Sequence, residues 1–151
     1  MTAIFGAGEP KGMFKHLKTK WINFNLNPTE ERLFDTLYPM YHMREWIYQG
    51  NVKDYAGKYE AYLSPEQILD KTLWSLPEYQ VLRSLCNHTR HFKPGPSNVK
   101  HTRVFKGAST DTLRCNDPSC CIHFAVDGRD IRDIFLAVYL IYHDYFASKA
   151  K

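Results

Sequence analysis

Between Pro77 and Phe92 the chain reads Pro-Glu-Tyr-Gln-Val-Leu-Arg-Ser-Leu-Cys-Asn-His-Thr-Arg-His-Phe. Its residue types suit phosphate chemistry. An imidazole moves protons near neutral pH, a guanidinium clamps an anion with directed hydrogen bonds, and an amide orients either one. On an α-helix Arg83, Asn87, Arg90 and His91 fall within an arc of about 100°. Val81, Leu82, Leu85, Thr89 and Phe92 take the other side. A stripe of two guanidiniums, an amide and an imidazole is costly to bury without partners, so it is solvated, paired at an interface or the wall of a site. His88 lies about 140° from Arg83 around the helix and borders the apolar side, whereas His91 lies about 80° away. Angular position therefore favours His91 as the partner of Arg83.

A second concentration of reactive groups is Cys115-Asn116-Asp117-Pro118-Ser119-Cys120-Cys121-Ile122-His123. Thiolates and an imidazole this close suit zinc, which takes four such ligands in a tetrahedron. Cys115, Cys120 and His123 could supply three, with Cys86, His101 or a water as the fourth. In a strand, Cys121 and His123 would share one face and Cys120 would take the other. The alternative is a loop with free thiols packed against the core. A third grouping is basic: Arg90, Lys93 and Arg103, with Lys100, Lys106 and Arg114, surround His91 and His101 among Tyr79, Phe92 and Phe105. Cations interleaved with aromatic rings suit single-stranded RNA, and also suit an ordinary solvated surface. Upstream, His42 shares a helix face with Glu45 and Trp46. His42 or Glu45 would then support a histidine of the motif helix, or only a helix–helix hydrogen bond.

These groups need elements to hold them. Residues 1–26 lack a clear period and carry Lys15, His16, Lys18 and Lys20, which reads as a flexible basic N-terminal arm. The spacing of Gly6, Gly8 and Gly12 fits no phosphate-binding loop. Asn27-Pro28-Thr29-Glu30 predicts a helix capped by Asn27 and running to Gly50, with a kink or restart at Pro39. Ser64-Pro65-Glu66-Gln67 predicts a capping box and a helix to about Trp74. Ser75-Leu76-Pro77-Glu78 opens the motif helix, and Pro94-Gly95-Pro96 ends it. Residues 99–105 and 121–127 read as two strands, the second alternating cleanly through Ile122, Phe124 and Val126, and closed by Asp127-Gly128. A final helix from about Arg129 to Ala147 is apolar around most of its circumference, as for a helix central to a bundle or pinned at a dimer interface. The expected domain spans residues 27–151, with the hairpin at about 99–127.

With 151 residues the chain can bury a core, and its ten Tyr, nine Phe and three Trp argue against disorder. The formal charge of +4 permits an anionic partner without demanding one. Met1 to Gly12 has no apolar segment of the secretory kind, and no run approaches the length that spans a membrane. A cytoplasmic protein without membrane partners is the expectation, and its four Cys are then thiols or ligands rather than disulfides.

Arg83 and His88 fit Arg-x4-6-His, and Asn87-His88-Thr89-Arg90-His91-Phe92 fits Asn-x-x-Lys/Arg-His-Phe. With His42-Met43-Arg44-Glu45-Trp46 upstream and the order of elements, residues 27–147 resemble HEPN (higher eukaryotes and prokaryotes nucleotide-binding) domains, notably uncharacterised bacterial and phage proteins of that build. The resemblance implies a mainly α fold: a HEPN-like bundle of four to five helices with a small β-hairpin before the C-terminal helix. It also implies a homodimer whose paired motif helices form one cleft. In catalytic members that cleft cleaves RNA without metal, as in toxins and phage-defence systems. Carried over, Arg83 would clamp the phosphate, His88 or His91 would serve as acid and base, and Asn87 would orient them. The usual spacing favours His88, against the angular argument for His91. The alternative is a non-catalytic module, HEPN-like with no cofactor or stabilised by zinc at the Cys/His loop, that binds nucleic acid, a nucleotide, or a protein partner such as an antitoxin.

Overall fold

The computed structural model describes residues 8–90, 99–107, 117 and 121–151. The fold is mainly helical, with a small three-stranded antiparallel sheet before the C-terminal helix. The helices are α1 (Pro10–Leu26), α2 (Glu30–Ile47), α3 (Pro65–Ser75), α4 (Pro77–Arg90) and α5 (Ile131–Lys149). The strands are β1 (Thr102–Lys106), β2 (Ile122–Val126) and β3 (Arg129–Asp130). Among the described residues, no helix is long and apolar enough to cross a membrane.

The basic arm expected over residues 1–26 is corrected over its second half. Residues 10–26 form α1, and residues 1–7 lie outside the described residues. Pro10 opens the helix with its φ already set for it. Met13, Phe14, Leu17, Trp21 and Phe24 make a stripe at helical spacing that docks on the bundle. Leu17 and Phe24 are wholly buried, and the Phe24 ring meets Phe135 edge-on at 5.6 Å. The lysines project outward, which disguised the stripe.

The cap of α2 also differs from expectation. Thr29, not Asn27, caps it, its hydroxyl accepting from the Arg32 amide at 3.2 Å. The helix stays α-helical through Pro39 and ends at Ile47, short of Gly50. The capping box of α3 forms as expected. Ser64 Oγ accepts from the Gln67 amide, and Gln67 Oε1 accepts from the Ser64 amide.

β2 lies between β1 and β3, with Phe105 opposite His123 and Val126 opposite Thr102. Asp127 and Gly128 both take positive φ, 47° and 81°, the backbone of a two-residue hairpin that twists with its strands. That turn starts β3, a strand absent from the sequence expectation, and β3 leads straight into α5. Asp130 caps α5, accepting from the Arg132 amide at 2.8 Å. α5 packs against α1, α2, α3 and α4 as well as β2 and β3, so most of its apolar surface serves the bundle, with Leu140 left exposed.

Candidate functional site

The motif helix α4 forms over Pro77–Arg90, its predicted end at Pro94-Gly95-Pro96 lying outside the described residues, and its polar side is open. Tyr79, Leu82 and Cys86 point into the core, with Val81 and Leu85 half-buried. Burial pushes the Cys86 thiol up to about 12, so this cysteine is an inert packing group. Arg83, Asn87 and His88 are exposed. Thr89, assigned to the apolar side from sequence, is also exposed and accepts a hydrogen bond from the Tyr38 hydroxyl at 2.9 Å. His91 and Lys93 lie outside the described residues, as does the side chain of Arg90 at the helix end.

The exposed residues of α4 face two different neighbours. Arg83 lies with its guanidinium 5.2 Å from the centre of the Trp74 ring, and Arg44 takes another position on the same ring at 4.9 Å. His88 instead lines a cleft of about 440 Å³ between α2, α4 and the sheet. Phe34, Val99, Arg103 and Val104 line it with His88. Arg103, an expected RNA contact, is exposed on β1 and sits 4.9 Å over the Phe105 ring. The cleft therefore joins His88 to Arg103, not to Arg83.

His42 and Glu45 pair with each other, Nδ1 to Oε2 at 3.4 Å, at the surface of α2. The support to α4 comes instead from Arg44, which sequence reasoning left unassigned. Its Nε donates to the Tyr79 hydroxyl at 3.0 Å, and Nη1 donates to Asp70 at 2.7 Å. Tyr79 in turn donates to the Tyr41 carbonyl, and Tyr55 donates to the second oxygen of Asp70. Burial works against the charge of Arg44, yet the bonds to Asp70 and Tyr79 outweigh it and hold the guanidinium firmly protonated. Asp70 is wholly buried, so this network fastens α2, α3 and α4 together.

The face of the hairpin opposite Phe124 and Val126 carries a second polar cluster. Arg132, 2% exposed, donates to both oxygens of Asp117 at 2.9 Å and to both oxygens of Asp130. Burial opposes the arginine's charge, and these carboxylates more than offset that and raise its pKa. The His123 side chain is wholly buried, with Phe105 stacked on its ring at 5.1 Å. Its Nδ1 lies 3.3 Å from Arg132 Nη2 and 3.8 Å from Asp130 Oδ2. Its Nε2 is buried without a hydrogen-bond partner.

Asp117, Cys121 and His123 bring one ligand atom each to within 4.8 Å of one another, a group able to hold a metal ion. Of the ligand set expected from sequence, His123 is in this group, while Cys115 and Cys120 lie outside the described residues. Cys121 joins because it shares the His123 face of the strand, which the two-residue period anticipated. Asp117 joins through its bond to Arg132, a contact without any signature in local spacing.

These features define a helical bundle with a three-stranded antiparallel sheet, bearing one open polar helix face and one buried thiol–imidazole–carboxylate group. No family model, curated protein or solved structure matches the chain.

Proposed function

We propose that this is a HEPN-like module that binds single-stranded RNA across the face formed by α4 and β1. One observation carries the reading. Arg83, Asn87 and His88 stand exposed on one helix, and among the described residues no hydrogen bond engages their side chains. Charged and amide groups held ready on a rigid element suit recognition of a phosphate backbone. Arg103 on Phe105, with the exposed Val104 in the cleft that His88 also lines, adds a surface on which bases can stack. The zinc that the sequence allows belongs, on this reading, to the hairpin face opposite Phe124, where it holds structure and does not touch RNA.

Metal-independent RNA cleavage is the second reading, favoured by the open edges of Arg83 and His88. Within one protomer these two face different neighbours. A shared site then requires a homodimer in which one copy's guanidinium meets the other's imidazole.

The test uses labelled single-stranded RNA, followed by anisotropy for binding and by gel for cleavage, in buffers with and without EDTA. Wild type should bind, and Arg83→Ala and Arg103→Ala should each weaken binding and reduce the salt slope by about 1. Cleavage by wild type in EDTA, lost in the His88→Ala/His91→Ala variant, selects the nuclease. Absence of binding by folded wild type sinks both readings and turns the search to a protein partner.

A further inference from the structure

We infer that Asp117, Cys121 and His123 form a site for a divalent ion of the zinc class, clamped from behind by Asp130 and Arg132. The inference deepens the zinc reading of the hairpin and stands whether or not α4 binds RNA. Three observations carry it. One thiol, one imidazole and one carboxylate converge to within 4.8 Å. Ligand atoms around tetrahedral zinc lie roughly 3.5 Å apart, so a movement of about 1 Å closes the group on an ion. The His123 ring is completely buried, yet its Nε2 has no partner, an arrangement that buried polar atoms rarely tolerate. A metal ion on Nε2 satisfies that atom.

The surroundings suit the same occupant. Nδ1 lies 3.3 Å from Arg132 Nη2, which only donates, and 3.8 Å from the Asp130 carboxylate, so taking an ion on Nε2 moves the ring proton to Nδ1 and turns it from Arg132 toward Asp130, the usual partner of a ligating imidazole. Arg132 holds Asp117 by two parallel bonds, fixing the plane of that carboxylate. Among the described residues, two carboxylates share one guanidinium here. A divalent ion with a Cys121 thiolate brings the sum of these charges to zero. On binding, the Cys121 sulfur loses its proton to bulk water as the sulfur–metal bond forms, and His123 contributes a nitrogen lone pair. A sulfur ligand beside nitrogen and oxygen selects zinc or cobalt over magnesium or calcium. Three protein ligands leave a fourth position for water or another side chain.

The test begins with purified full-length protein stripped of metal and titrated with Co²⁺ alone. A thiolate-to-cobalt charge-transfer band saturating at one equivalent, and displaced by Zn²⁺, is expected. X-ray absorption of the zinc-loaded wild type should then show sulfur at about 2.3 Å together with imidazole scattering. Cys121→Ser should lose the band. No uptake by the folded protein, a shell lacking either sulfur or imidazole, or a band that survives in Cys121→Ser overturns the assignment. Where Cys121→Ser fails to fold, zinc-loaded Cys115→Ser/Cys120→Ser decides: it should keep the sulfur at about 2.3 Å, and loss of that sulfur overturns the assignment.

Discussion

Asp70→Ala should destabilise the protein by about 3–4 kcal/mol, as expected for removing one partner of a buried charge pair. Asp70 is wholly buried in α3 and accepts from Arg44 at 2.7 Å and from the Tyr55 hydroxyl. A charge-assisted hydrogen bond contributes roughly 1.5–3 kcal/mol and a neutral one roughly 1 kcal/mol. The substitution removes both and strands a guanidinium whose side chain is only 13% exposed. Arg44 keeps the Tyr79 hydroxyl at 3.0 Å and Glu45 at 3.6 Å, which places the loss at the lower end of the usual range for a broken buried pair. For a chain of this size the melting temperature should fall by roughly 10 °C. Urea unfolding followed by far-ultraviolet circular dichroism measures the loss, with an unchanged slope showing that the denatured state is the same. Asp35→Ala is the control. Its bond to Lys20 is 3.5 Å long and exposed, so it should shift stability by no more than about 0.5 kcal/mol. The double variant Arg44→Met/Asp70→Leu should recover much of the loss, since apolar groups of similar size need no partners. A loss below about 1 kcal/mol for Asp70→Ala would refute the claim that this network joins the helices.

Phe24→Ala should cost about 3–5 kcal/mol, because the ring is wholly buried between Phe124 and Phe135; a flexible arm would lose almost nothing in the same unfolding assay. The Lys149 ammonium and the Tyr145 hydroxyl hold Glu66 down to about 2. Because its folded pKa is depressed, its contribution is present above the unfolded value near ~4.3 and fades as pH falls toward 2. Glu66→Gln should therefore flatten the stability curve in that acid window only, as read by thermal melts across pH. Cys86 should resist thiol reagents in the folded protein and react fully after denaturation, followed by mass mapping of the labelled peptide; rapid native labelling would contradict its burial.

Local signals were enough for most elements. The Ser64–Gln67 capping box, Pro77 at the head of α4 and Asp127-Gly128 at the hairpin each specify backbone geometry within a few residues, and each forms where the sequence places it. The apolar wrap of α5 likewise announced a helix central to a bundle or pinned at a dimer interface, and its packing against α1, α2, α3 and α4 is the first of these. The stripe from Met13 to Phe24 was equally present, but lysines interrupt it, and only contact with α5 shows which side is in. The side chains of α4 took their faces from the 3.6-residue period, so the exposure of Arg83 and Asn87 was legible. Which neighbour each one meets was not, because that depends on where α3 and β1 pack. Asp117 and Arg132 are far apart in sequence, and their bidentate bond has no periodic trace. Sequence thus determined the helices, the hairpin and the polar face of α4, since those follow from interactions within a few residues. Tertiary packing alone decided that His88 and Arg103 line one cleft, that Arg44 braces Asp70 and Tyr79, and that Asp117, Cys121 and His123 converge, because each grouping joins elements whose approach is set by burial of the whole core.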